Sequence, residues 1–329
     1  MYCEKCGTQL PDGAMFCTEC GTPRGNIPPA PVEAAQVPTS VVPAANYAQP
    51  AASRKRPLGL IVTIVILSVL LIGGGFILLN RNSAPKTVTI LGVKYDVATT
   101  TELKLNNSVI SNDQLIEIAE LTNLKELWLW DAQISDITPL EKLTNLTRLN
   151  LFKNQISDIT PLEKLTNLTH LNLSQNQISD ITPLANLTNL TNLDLQLNKI
   201  SDITPLEKLT DLASLGLTDN QISDITPLAN LTGLKQLMLG GTKISDITPL
   251  AKLTDLTYLN LGDNQISDIT PLAELTDLTQ LYLYQNQIRD ITPLAKLTNL
   301  EELWLWDNQI GDSDIESLKS KLPNCNIKG

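Results

Sequence analysis

The chain has 329 residues, 42% of them hydrophobic and 18% charged, with a formal net charge of −11. That length is enough to bury a sizeable core, but the averages hide three unlike parts. The first 86 residues hold seven Lys/Arg against four Asp/Glu and the remainder holds 17 against 31, an acidic balance that argues against a nucleic-acid partner for the long part.

Four of the five cysteines stand within the first twenty residues, as Cys3, Cys6, Cys17 and Cys20. Both Cys-x-x-Cys pairs are followed by glycine, Gly7 and Gly21, which lets the backbone turn tightly enough for two thiolates to reach one ion. Two such pairs make a tetrahedral four-thiolate zinc site. Two disulfides are the alternative reading of the same residues. With four protein ligands no coordination position stays open, so the zinc is structural and not catalytic. Residues 1–22 resemble the short zinc-ribbon modules found at the N-termini of many bacterial membrane proteins. Cys325 stands alone near the other end and reads as a packed end residue.

Residues 23–56 begin as a Pro/Ala-rich linker without an aliphatic pattern and end in the basic flank Arg54, Lys55 and Arg56. Such a segment cannot bury enough surface to fold and serves as a tether. The composition then reverses. The uncharged run from Leu58 to Leu79 makes a helix of roughly 33 Å at about 1.5 Å per residue, long enough to cross a bilayer. The segment 57–80 is therefore expected to be a single transmembrane helix. Basic residues before it and thiolates that need a reducing compartment both put the N-terminus in the cytoplasm. The rest of the chain is then extracytoplasmic, a stalk and N-terminal cap over 81–123 leading into it.

From Leu124 a leucine returns every 22 residues, at 146, 168, 190, 212, 234, 256, 278 and 300, in a unit close to LxxLxLxxNQISDITPLxxLTN. Nine such units span 124–308. Alternation in Leu127-Trp128-Leu129-Trp130 sends the leucines to one face of a strand and the tryptophans to the other. Stacked units pair their strands in parallel over a continuous leucine core, which makes a solenoid of the α/β class with strands on the concave side and short helical turns on the convex side. Thr138, Pro139 and Glu141 read as N-cap, first helical residue and capping-box acid of one such turn, with Glu163 and Glu207 repeating the box. The aspartates recurring from Asp136 to Asp290 read as turn and cap acceptors, since one carboxylate per unit offers too few ligands for calcium. The Asn-Leu-Thr sequons follow from the repeat and are no sign of glycosylation.

Leucine, asparagine, isoleucine and the string SDITPL recurring in phase resemble the internalin-like leucine-rich repeats of bacteria, from about Leu103 to the C-terminus. The resemblance implies that Asn154, Asn176, Asn198, Asn220, Asn264, Asn286 and Asn308 bond the backbone of adjoining turns. Ala132 and Thr242 interrupt that row, and the second break follows Gly240 and Gly241, so the sixth unit is expected to bend or loosen. Residues before the array, and 309–329 after it, are helix-like caps that close the ends of the core.

Each unit offers three outward strand positions, and all eight aromatic residues of 124–308 occupy them. They are Trp128, Trp130, Phe152, Tyr258, Tyr282, Tyr284, Trp304 and Trp306. The hexapeptide Glu-Leu-Trp-Leu-Trp-Asp occurs twice, from Glu126 and from Glu302, and holds every tryptophan. Eight strand spacings place the copies roughly 38 Å apart along the arc. The expectation is of two exposed aromatic islands that carry binding energy and not fold stability, so that removing Trp304 and Trp306 leaves unfolding nearly unchanged. With Glu126 and Glu302 beside the rings, this face is read as the binding site of a membrane-anchored receptor or adhesin for a protein or peptide. A glycan or wall polymer is the second reading, and a signalling or assembly component acting through the cytosolic ribbon the third. No Ser-His-Asp set, phosphate loop or open metal site argues for an enzyme.

Overall fold

The computed structural model describes residues 86–329; the zinc-ribbon cysteines, the linker and the apolar segment 57–80 lie outside the described residues. Among those described, no helix is long and apolar enough to cross a membrane.

A short antiparallel hairpin, β1 (Thr87–Ile90) and β2 (Val93–Asp96), opens the described part. It is followed by β3 (Glu102–Lys104) and by helix α1 (Asn112–Ala119). The α1 start is fixed by a capping box: Ser111 Oγ accepts from the Gln114 amide while the Gln114 side chain accepts from the Ser111 amide. Nine three-residue strands then recur once per unit, from β4 (Glu126–Trp128) to β12 (Glu302–Trp304), and helix α2 (Asp312–Lys321) and β13 (Asn326–Lys328) complete the chain. Strands β3 to β13 form one eleven-stranded parallel sheet in chain order. Each cap therefore supplies an edge strand as well as a helix.

The core follows the leucine period. In one unit Leu168, Leu171, Leu173, Ile178, Ile181, Leu184 and Leu187 are all 2% exposed or less, and the same seven positions merge into a single hydrophobic cluster running from Val88 to Leu322. Full burial of each such side chain is worth about 1.5–3 kcal/mol, so a repeat unit is stable only through its neighbours.

The return turns are 3₁₀ helices that begin at the Thr-Pro-Leu triplet, as in Thr138–Lys142. This corrects the expected cap. Ile137 is the N-cap, no side chain caps the helix, and Thr138 is already its first residue. Asp136 Oδ1 takes the Thr138 amide at 2.8 Å instead, so the Asx turn two residues earlier consumes the N–H. A three-residue helix also has no place for a capping-box acid: Glu163 and Glu207 are the C-caps of their turns. The seven other in-phase aspartates bond the same way at 2.8–2.9 Å.

The asparagine row is as the resemblance implied. Asn176 Nδ2 donates to Leu151 O and Leu173 O, and its Oδ1 accepts the Ile156 amide, which ties two units together. Thr242 keeps part of this, its hydroxyl lying 3.0 Å from Leu239 O and 2.6 Å from Asn264 Oδ1. The sixth unit does not loosen: Gly241 N bonds Gly262 O and Lys243 N bonds Ile222 O, both at 2.9 Å. Gly241 has φ of +63°, and the residue in the same slot of every other unit is also left-handed, from Asp131 at +54° to Asp307 at +56°. The glycine thus adopts without strain what its counterparts adopt at some cost. A second asparagine row, absent from the sequence reading, runs through the sequons: Asn145, Asn167 and Asn189 each donate to a backbone carbonyl of the preceding unit at 2.8–2.9 Å.

Candidate ligand-binding face

Parallel pairing in register sets the outward side chains in columns, one strand spacing apart. Tyr282 is the partner of Trp304, Asn260 of Tyr282, and Trp128 of Asn150. The rings do point away from the leucine cluster, but they are not the exposed islands expected. Trp128, Tyr282 and Trp304 are only 8%, 3% and 6% exposed, and Trp130, Phe152, Tyr258, Tyr284 and Trp306 are partly buried. Neighbouring rings at one strand spacing cover each other, and they also lie down over small residues: a β-carbon on Gly262 would sit inside the Tyr284 ring.

At the C-terminal end the aromatic residues form one continuous group. Tyr258 lies 5.4 Å from Tyr282, which meets Trp304 edge-on at 4.9 Å. Tyr284 stacks on Trp306 at 4.6 Å with 10° between planes. Glu302 ties the group together. Trp304 Nε1 donates to its Oε1 at 2.7 Å and the Tyr282 hydroxyl to its Oε2 at 3.3 Å. Lys328, supplied by the C-terminal cap, sits 3.6 Å from the same carboxylate and 4.5 Å above the Trp304 ring. Burial raises the Tyr258 and Tyr282 phenols well above the usual tyrosine range, so both are neutral hydrogen-bonding groups at physiological pH.

The N-terminal end is looser. Trp130 and Phe152 are 6.4 Å apart and tilted. Lys104 stands 5.6 Å from the Trp128 ring and pairs with Glu102. Glu126 faces Arg148 at 3.7 Å, and Trp128 Nε1 is buried without a hydrogen-bond partner among the described residues.

Between the two ends the floor is polar and held by its own backbone. Asn150, Asn172 and Asn260 each accept the amide two residues on, and Asp194 does the same with Gln196. Burial raises the Asp194 carboxyl, and burial followed by Arg148 lowers His170. Sequence reasoning missed Lys104 and Lys328, because they belong to the atypical cap strands and not to the repeat. It also missed Gly262, whose signal was a glycine at an outward position beside an aromatic column.

Residues 144–186, 188–230, 232–274 and 276–320, more than half of the chain together, match the leucine-rich repeat family in its two-copy form. The chain belongs to the leucine-rich repeat family. Its residues 2–24 match the zinc-ribbon domain. Among solved structures this leucine-rich repeat protein is similar to internalin C2 of Listeria monocytogenes, at 42% identity and a TM-score of 0.55, over 57% of this chain and 82% of that one. A second Listeria monocytogenes internalin is 36% identical with a TM-score of 0.53, over 72% and 83% of the two chains. A leucine-rich repeat protein of Leptospira interrogans is 25% identical with a TM-score of 0.52, over 70% and 72%. No curated protein matches the chain.

Proposed function

We propose that this leucine-rich repeat protein is a membrane-anchored binding protein whose strand face holds a protein or peptide ligand outside the cell. The observation that carries the reading is the placement of all eight aromatic side chains of the repeat array on one face, with the Tyr284–Trp306 stack and the Trp130–Phe152 pair still partly open to solvent. Rings already packed on one another lose little freedom on binding, which favours affinity. Similarity to internalins at 42% and 36% identity supports a binding role, and no catalytic step is assigned.

In the same reading the apolar segment 57–80 is the single anchor, with the N-terminus in the cytoplasm. Cys3, Cys6, Cys17 and Cys20 hold one structural zinc there; four thiolates in two Cys-x-x-Cys-Gly knuckles suit that ion. The zinc ribbon keeps open a role in cytosolic assembly or signalling, which deletion of residues 1–22 would reveal as a loss of cellular effect with surface binding retained.

The test is capture of cell-surface proteins by the full chain and by a Trp130→Ala/Trp306→Ala variant. The parent is expected to retain a protein that the variant does not. Equal retention by both would move the site off this face, and release of the captured material by soluble oligosaccharides would favour a glycan ligand. Protease added to intact, wall-stripped cells is expected to digest the repeats and spare the ribbon, and the opposite pattern would reverse the orientation.

A further inference from the structure

The two caps close the same core but differ at their surfaces. Five large hydrophobic side chains are exposed among the described residues, Leu91, Val93, Val109, Ile116 and Leu197, at 44–63%. Four belong to the N-terminal cap, one to the array and none to the C-terminal cap. A single exposed leucine needs no explanation, whereas a group at one end of a solenoid does.

Leu91 and Gly92 are the central residues of the β1–β2 hairpin, with φ of +48° and +80°, and Ile90 pairs with Val93 across them. A two-residue turn that is left-handed at both positions favours Asn-Gly. Leucine in it is strained in the backbone and open to water at once, and nothing in the fold requires it there. Val93 follows the buried Val88 and Ile90 on the same face of the hairpin but lies past the edge of the core. The hairpin packs on α1, and Lys86 Nζ reaches Glu120 at 2.6 Å. Its base therefore stands at the C-terminal end of α1, and its tip is directed back along the helix towards Ile116 and Val109.

The length of chain before the cap identifies what covers it. The uncharged run ends at Leu79, and residues 80–85 alone separate it from Lys86. Seven Cα–Cα steps reach about 25 Å at most, whereas the last strand of the sheet lies ten strand spacings, roughly 48 Å, further along the arc. We propose that the Leu91–Val93 tip, with Val109 and Ile116 beside it, seats in the lipid surface of the membrane that anchors the chain and so fixes how the strand face is presented. This rests on the reading that segment 57–80 is the anchor. An apolar tip enters the boundary between headgroups and acyl chains, and Lys94, exposed next to Val93, has a stem long enough to keep its ammonium among the phosphates.

The experiment places the full chain in phosphatidylcholine vesicles whose acyl chains carry bromine, which quenches tryptophan on contact. Leu91→Trp and Leu197→Trp are compared with the parent. Leu197 is the matched control, also 44% exposed and left-handed at φ of +55°, but in the array. The emission added at position 91 is expected to shift to the blue and to lose most of its intensity to bromine, while that added at position 197 keeps it. A second arm needs no added ring. In vesicles the amides of residues 91–94 are expected to be better protected from hydrogen exchange in the parent than in Leu91→Asn/Val93→Thr. Asparagine suits a left-handed turn and threonine a strand, so this variant should melt no earlier than the parent. No quenching at position 91, equal quenching at both positions, a blue shift without quenching, or equal protection in parent and variant would overturn the lipid contact. An alkaline carbonate wash separates the two readings: a chain that stays in the vesicles without quenching at position 91 keeps its anchor and loses the tip contact, and a chain that washes off loses both.

Discussion

The hexapeptide that opens β4 and the identical one that opens β12 do different things. At β12 Trp304 donates to Glu302 at 2.7 Å, meets Tyr282 edge-on at 4.9 Å and lies under Lys328. At β4 the corresponding Trp128 leaves its N–H without a partner among the described residues, and Glu126 is turned towards Arg148. The local sequence is the same, so the difference comes from the column neighbours one strand away: Tyr282 on one side of Trp304, Asn150 beside Trp128. In a parallel stack the same local sequence takes different partners according to what stands on the adjoining strands.

The largest expected effect sets the two tryptophans against each other. Trp304→Ala removes a buried ring with three packed or bonded partners and is expected to cost about 3–5 kcal/mol in denaturant unfolding. Trp128→Ala also removes a buried ring but abolishes an unsatisfied donor worth about 1–3 kcal/mol, so its cost should be smaller by about that amount. Equal costs would mean that Trp128 finds a partner in solution and that the islands are energetically alike. Measured costs of this size would overturn the expectation that these rings leave stability untouched.

A smaller effect separates the glutamates. Glu302 has a side chain only 13% exposed and bonds two aromatic groups, so Glu302→Ala removes the acceptor of the Trp304 N–H and is expected to cost about 1.5–3 kcal/mol. Glu126 faces Arg148 at 3.7 Å with both side chains more than a third exposed on average, and its loss is expected to cost no more than about 0.5 kcal/mol. Urea titration of the two variants decides it, and a reversed order would break the comparison.

Much of this fold was legible because its physics is periodic. A leucine every 22 residues, with alternation inside the strand, fixes which side chains enter the core, and the asparagine and aspartate rows follow the same period. What the period cannot carry was lost. The α-like cap assigned to Thr138 failed because Thr138 is already the first residue of a 3₁₀ turn and its amide is taken by Asp136. The islands were read as exposed because ring burial depends on what stands in the same column, such as Gly262 beneath Tyr284. Lys104 and Lys328 come from cap strands outside the repeat, where no consensus points to them.

The smallest expected effect is a case in which the two ends must agree. Asp136 belongs to the first unit and Asp290 to the turn just before β12, and both accept from the threonine two residues on at 2.8 Å. The threonine hydroxyl first, and its amide second, hold both carboxyls below the usual range. A carboxyl depressed in the folded state adds stability that is present above its unfolded value, near pH 3.9, and is lost as pH falls through the lower folded value. Asparagine keeps an oxygen for the amide but does not titrate. Asp136→Asn and Asp290→Asn are therefore each expected to change the neutral-pH melting temperature little and to flatten its acid decline slightly and equally, measured from pH 7 to pH 2. The Asp-Thr bond is the same in both turns while the packed element differs, helix α1 beside the first and α2 beside the last. Unequal flattening would therefore show that the adjoining element, and not the Asp-Thr pair alone, sets the carboxyl, which would extend the neighbour account of the tryptophans to the turns.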